Sequence, residues 1–192
     1  MRFQKDRKHL TRLKNALQSS HPIKDYVYNY RTPNQKVSRF TICSQQIGSN
    51  LIQWGVSPRK TFTLQWPDFL SDELLRHYLR GFFDGDGCFS LYTKRAGLPQ
   101  ASFSITANRT FLKGAQQFLI KHCGTSTNNT LHPQNRSHAL TYGGNRQVRK
   151  IFKLLYDKST IYLPRKLWKV LPTLYPNHQK VLARQIKQLS CH

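Results

Sequence analysis

Acidic residues are scarce in this chain. Its 192 residues include 8 Asp and Glu against 31 Lys and Arg, a formal net charge of +23. Such an excess carries no information about fold, but it points to a class of partner. A polyphosphate is favoured, because Lys and Arg that neutralise it release its counterions. A basic membrane-surface protein would instead need an amphipathic helix with a large apolar face, and only the C-terminal tail approaches one. Long apolar runs are also missing: none comes near the roughly 20 residues that span a bilayer. Cys43, Cys88, Cys123 and Cys191 are scattered, with no C-x-x-C among them. That argues against a zinc ribbon or redox pair. A chain of this length does not need disulfide staples, so reduced thiols are expected. The first ten residues, MRFQKDRKHL, are too charged for a secretory signal. The glycosylation sequons at Asn108, Asn128 and Asn135 then read as chance matches. The expected setting is intracellular: bacterial cytoplasm, chloroplast or mitochondrion.

Aromatic residues are plentiful. Eleven Phe, nine Tyr and three Trp, within 38% hydrophobic residues, allow a sizeable core in one domain or two small similar halves. The chain does repeat itself. DRKHLTRLKNAL from Asp6 lies over NRTFLKGAQQFL from Asn108, with Leu10, Leu13 and Leu17 matching Leu112, Ala115 and Leu119 at helical spacing. Strand-like stretches follow each: DYVYNY and VSRFTIC in the first half, TNNTLH and SHALTY in the second. A second helical pattern comes next, QQIGSNLIQWGV or NRQVRKIFKLLY, and each leads to Pro-Arg-Lys, at 58–60 and 164–166. The second half has an additional opening: SDELLRHYLRGFF as a helix with Ser71 as N-cap, then CFSLYTKR and QASFSITA as strands. It therefore reads αββαββα, and the first half lacks the counterpart of that opening.

Two of the few carboxylates, Asp84 and Asp86, stand one residue apart among Gly81, Gly85 and Gly87. The helix is expected to end at Phe83 or Asp84, with the glycines turning the chain. Carboxylates there meet the negative end of the helix dipole, and broken local rules concentrate at functional sites. Bound Mg²⁺ or Ca²⁺ would repair the electrostatics. A helix cap followed by a turn explains Asp and Gly equally well. An EF-hand does not fit, because Cys88 falls on a ligand position and no Glu closes the loop.

LRGFFDGDG, residues 79–87, resembles the LAGLIDADG motif of homing endonucleases, as do the flanking strands, the repeat order and the paired tripeptides. The resemblance covers roughly residues 5–170. It implies an α+β fold of two pseudo-twofold αββαββα repeats, whose saddle-shaped antiparallel sheets lie over a DNA major groove. Residues 1–70 would be a first repeat truncated at its start, 71–170 a complete second repeat, and 171–192 a helical tail. The implied activity is site-specific, Mg²⁺-dependent hydrolysis of double-stranded DNA for a mobile intron or intein. Mn²⁺ or Ca²⁺ could replace Mg²⁺ for binding. The implied target is roughly 20 base pairs, about two helical turns. Asp86, with Gly85 beside it, would bind the metal; Asp84 would support it; Lys60 and Lys166 would be the catalytic lysines.

One departure stands out: the family cuts with two motif helices, and this chain has one. A partner chain or segment could supply the other, or the chain could pair with itself. It could also bind without cutting, as a DNA-binding protein or as a maturase that assists splicing of intron RNA. Strand alternation selects the nucleic-acid face. Phe89, Leu91, Phe103, Ile105, Phe40 and Ile42 turn inward. Ser90, Tyr92, Lys94, Ser102, Ser104, Thr106, Arg39 and Thr41 turn outward. Asn29 and Arg31 join them if Tyr28 and Tyr30 pack. Asn128, His132, Asn135, Arg136 and His138 are polar candidates in the last strand pair. Trp54, Trp66 and Trp168 are expected to be core or interface anchors.

Overall fold

A computed structural model describes residues 6–29, 33–56, 63–93 and 97–176. Lys60, Arg31, Lys94 and the C-terminal tail from residue 177 lie outside the described residues. In order, the elements are α1 (Arg7–Ala16), β1 (Ile23–Tyr28), β2 (Gln35–Phe40) and α2 (Gln45–Gln53), then α3 (Asp72–Asp86), β3 (Cys88–Thr93), β4 (Pro99–Ala107) and α4 (Arg109–Cys123). The chain continues through β5 (His132–Gln134), β6 (Ser137–Gly143), α5 (Asn145–Tyr156), α6 (Pro164–Trp168) and α7 (Leu171–Leu174). The fold is α+β with antiparallel sheets, in the expected order of helices and strands. β1 and β2 form a hairpin, while the four-stranded sheet runs β3-β4-β6-β5.

The second half owns the core. Leu79 and Phe83 of α3, Phe89 of β3, Phe103 and Ile105 of β4, and Leu140 and Tyr142 of β6 point into one cluster. α4 adds Phe111, Leu112, Ala115 and Leu119, and α5 adds Val148, Ile151 and Leu155. Each such Leu, Ile, Val or Phe side chain contributes about 1.5–3 kcal/mol by leaving water. Leu64 and Trp66 before α3, and Val170, Leu171 and Leu174 beyond α6, also belong to this cluster. Trp66 lies against Phe111, Phe118 and Tyr78, pressed so close to α4 that a Cβ on Gly114 would sit 2.2 Å from its Cγ. By contrast, Trp54 and Trp168 are exposed and do not anchor the core. Leu91 is exposed too: it keeps the inward register opposite Ala101 but lies on edge strand β3.

Helix starts are set by their caps. Asn108 Oδ1 accepts from Phe111 N at 2.9 Å, and Ser71 Oγ from Leu74 N at 3.4 Å. Of the stretch read as strand from Thr127 to His132, only His132 is in one, at the start of the three-residue β5. Asn128 sits in a turn, and Gln116 binds the carbonyl of Asn129 at 2.6 Å, satisfying backbone that a strand would otherwise pair.

The first half is thinner. Of the three matched leucines of the first half, Leu10 is buried and Leu17, just past α1, is exposed, whereas Leu112, Ala115 and Leu119 are all fully buried. α1 joins the second half through polar contacts: buried Asp6 accepts from Arg165 Nε at 3.1 Å, and His9 Nδ1 lies 3.0 Å from the carbonyl of Tyr162.

Candidate nucleic-acid interface and acidic helix end

α3 continues to Asp86, two residues further than expected. Gly87 then caps it with φ −78°, so a left-handed turn is not what this glycine supplies. It is needed for space: a Cβ there would lie 2.1 Å from Cδ2 of the Phe83 ring. Gly81 and Gly85, by contrast, face open space on the exposed side of α3.

The two aspartates occupy opposite environments. Asp84 is buried, accepting from Tyr156 Oη at 2.7 Å and Leu163 N at 3.0 Å. Burial raises its pKa, and those two hydrogen bonds only partly oppose this. Asp84 therefore ties the end of α3 to α5 and to the loop before α6. Asp86 is exposed. It lines a cavity of about 390 Å³ along α3 with His77, Tyr78, Gly81 and Gly85. It also lines a second cavity, of about 250 Å³, with Thr106, Asn108 and Ser137. His77 accepts from Arg80 Nη1 at 2.5 Å, and burial followed by the charge of Arg80 lowers its pKa.

Lys166 explains how carboxylates can stand at this helix end. From α6 its ammonium donates to the carbonyls of Phe83 at 2.6 Å, Gly87 at 2.5 Å and Gly85 at 3.5 Å. A cation at the C-terminus offsets the helix dipole as well as binding its orphan carbonyls. Burial lowers the lysine's pKa, while the charge of Asp84 and, more weakly, that of Asp86 oppose the shift. Asp6 pairs with the neighbouring Arg165, and Asp84 holds Leu163, so the short helix carrying Lys166 is pinned on both sides.

The outer sheet face is rich in hydroxyls. Ser90 Oγ lies 2.7 Å from Ser102 Oγ, and Ser104 Oγ 3.1 Å from Thr141 Oγ1. Tyr92 is exposed, and Thr106 joins Asp86 at the shared cavity. Thr141 belongs to this row; its place opposite Ser104 depends on the β4–β6 register, which strand alternation alone does not give. His132, Asn135 and Arg136 are exposed around the β5–β6 turn. His138 is a correction: it shares the parity of buried Leu140 and Tyr142, which puts it on the helix-facing side of the sheet.

In the hairpin, Arg39 and Thr41 line a cavity of about 330 Å³ with Lys24 and Tyr26. Arg39 stands over the Tyr26 ring at 5.3 Å and donates to Tyr28 Oη at 3.2 Å. Tyr28 is thus on the outer side rather than packed inward. Asn29 is held differently, its Oδ1 accepting from Asn34 N at 2.9 Å across the hairpin turn. Lys24 and Tyr26 were the members that strand reading missed, although the antiparallel pairing opposite Arg39 and Val37 puts them on this face.

A divalent cation would find oxygen donors at Asp86 and the Gly85 carbonyl, which suits a hard ion. Among the described residues no group of three or more His, Cys, Asp or Glu side chains gathers at one place. The end of α3 thus offers the Asp86 carboxylate and the Gly85 carbonyl, a donor set compatible with Mg²⁺, which keeps several waters and takes further ligands from phosphates.

No protein-family profile and no curated protein matches the chain. Solved structures do. One is the homing endonuclease I-CvuI in complex with its target in the presence of Ca, at 20% identity and TM-score 0.35, covering 44% of this chain and 55% of that one. Another is I-CvuI in complex with the I-CreI target in the presence of Mg, at 18% and 0.40, covering 56% and 71%. A third is the LAGLIDADG meganuclease I-AabMI bound to uncleaved DNA, at 17% and 0.40, covering 57% and 38%. The chain thus spans little more than half the length of the first of these and under two fifths of the third.

Proposed function

We propose that the chain is a LAGLIDADG-type protein that binds double-stranded DNA on its outer sheet faces and hydrolyses it with Mg²⁺ at Asp86. The observation that carries this reading is the end of α3. There an exposed carboxylate borders both the open helix face and the hydroxyl-lined sheet, with an ammonium fixed to the same helix end. A solvated Asp at a helix C-terminus has no evident structural task, whereas its neighbour Asp84 has one.

In this reading Asp86 and the Gly85 carbonyl hold the metal, which when bound supplies an activated water and neutralises charge on the scissile phosphate. Lys166 orients the carbonyls of the helix end and adds positive potential beside the phosphate. Ser90, Tyr92, Ser102, Ser104, Thr106 and Thr141 meet the groove, and Arg39, Lys24 and Tyr26 extend the surface on the hairpin. Asp84 acts through others, by fixing where Asp86 and Lys166 stand.

α1, β1, β2 and α2 match α4, β5, β6 and α5 in element order, which supports reading them as part of a related repeat. The open face at Gly81 and Gly85 supports a second motif helix packed there, from a further segment, another chain or another copy. With one motif aspartate, Asp86, in this sequence, a double-strand cut needs that second helix. The competing reading is binding without cutting, to DNA or to intron RNA, and the single motif favours it.

Cleavage of a plasmid bearing the target, with Mg²⁺, separates the two. Asp86→Asn should lower cutting by at least about 100-fold while leaving binding intact. Undiminished cutting by Asp86→Asn would remove Asp86 from the chemistry. Binding without any cutting by the wild-type chain, even with a second motif helix supplied, would favour the binder.

A further inference from the structure

The helical layer carries a strongly basic surface that the sheet-face reading leaves unused. On α5, Arg146, Arg149, Lys150 and Lys153 recur at spacings of three and four, all exposed, and no acidic residue lies between Asn145 and Tyr156. Like charges at these spacings repel one another along a helix. Arg149 has a partial outlet over the ring of Tyr175, at 5.5 Å. Lys150 and Lys153 instead border a cavity of about 540 Å³, shared with Arg76 of α3, His122 and Gly124 at the end of α4, and Asp157 beyond α5.

Counter-charge there is thin. Asp157 is the one carboxylate of the lining, and nearby Asp72 is engaged by Lys121 at 2.7 Å and His122 at 3.1 Å. Arg76 donates from Nη2 to the Asp157 carbonyl at 2.7 Å, but its Nε is buried without an acceptor among the described residues. A buried donor left unpaired is costly and rare in folded proteins. An anionic oxygen in the cavity would relieve both the lysine repulsion and the electrostatic cost of the guanidinium.

We infer that this cavity is a second phosphate-binding site, which takes the backbone of a nucleic acid on the helical side of the molecule, opposite the hydroxyl face of the sheet. Its ligand is a phosphodiester, matched to well-spaced single charges rather than to a bidentate fork alone. The site does not depend on whether Asp86 cuts, because none of its residues borders that carboxylate.

The test is the salt dependence of binding by the full chain, with Lys150→Gln/Lys153→Gln beside wild type. Two labelled probes are used, a duplex DNA and an RNA hairpin. Both lysines are exposed, so the fold is not at risk, and a thermal melt verifies it. Each phosphate contact contributes about 0.9 to the slope of log affinity against log salt for duplex DNA, and about 0.7 for single strands. The double variant should flatten the slope by between one and two for at least one probe, and the probe affected identifies the polymer. Slopes unchanged for both probes would overturn the inference.

Discussion

Asp84 and Asp86 show how far two identical side chains can diverge. One is a buried acceptor for Tyr156 and Leu163, the other a solvated carboxylate at a helix end. The pattern Asp-Gly-Asp does not tell them apart, and neither does helix phase, which sets Asp86 rather than Asp84 in line with Leu79 and Phe83; Asp84 is buried because Tyr156 and Leu163, from far along the chain, close over it. Burial raises the Asp84 pKa, so the folded protein keeps this proton at pH values where the unfolded chain, at about 3.8, has lost it. That contribution to stability is fully present below the unfolded value and fades as pH rises through the folded one. The melting temperature of wild type should therefore fall relative to Asp84→Asn between pH 4 and pH 7. A gap between the two that stays constant over this range would refute the assignment. Lys166 was legible as a candidate from its tripeptide. Its grip on two carbonyls of α3 and that of the capping Gly87 was not, since contacts across 79 to 83 residues leave no local signal.

At the scale of the element, α3 has two kinds of glycine. Gly87 is packed against Phe83, whereas Gly81 and Gly85 look into open space. Gly87→Ala should destabilise by about 1–3 kcal/mol through overpacking. Gly81→Ala should stabilise the isolated chain, by up to about 1 kcal/mol, because alanine is the better helix former. If a second helix must pack on that face, the same substitution should lower cutting. Thermal melts of both variants check the first two effects, and equal shifts for Gly87→Ala and Gly81→Ala would contradict the different environments. Helix periodicity and caps made α1, α3, α4 and α5 readable from sequence. β5 was overread because asparagine-rich polar alternation suits a turn as well as a strand, and side-chain bonds from Gln116 decided it.

For the whole molecule, the repeat order was legible because each element is periodic. The unequal burial of the two halves was not, because matching leucines look alike in sequence whether or not anything covers them. The core gathers residues from Leu64 to Leu174, whereas α1 attaches through Asp6 and His9. A fragment of residues 63–176 should accordingly melt in one cooperative transition, at a lower temperature than the full chain. Loss of any cooperative transition in that fragment would mean that α1 and the hairpin are part of the folding unit.

The lysine that completes α3 comes from far downstream, and this orders events on the ribosome. Synthesis delivers the acidic helix end long before residue 166 leaves the exit tunnel, so a nascent chain carries Asp86 on a helix whose last carbonyls still face water. The basic clamp arrives only when almost all of the core has been made. A truncated translation product would thus have the acidic motif without the lysine that steadies it, and the completed site would belong to the finished chain.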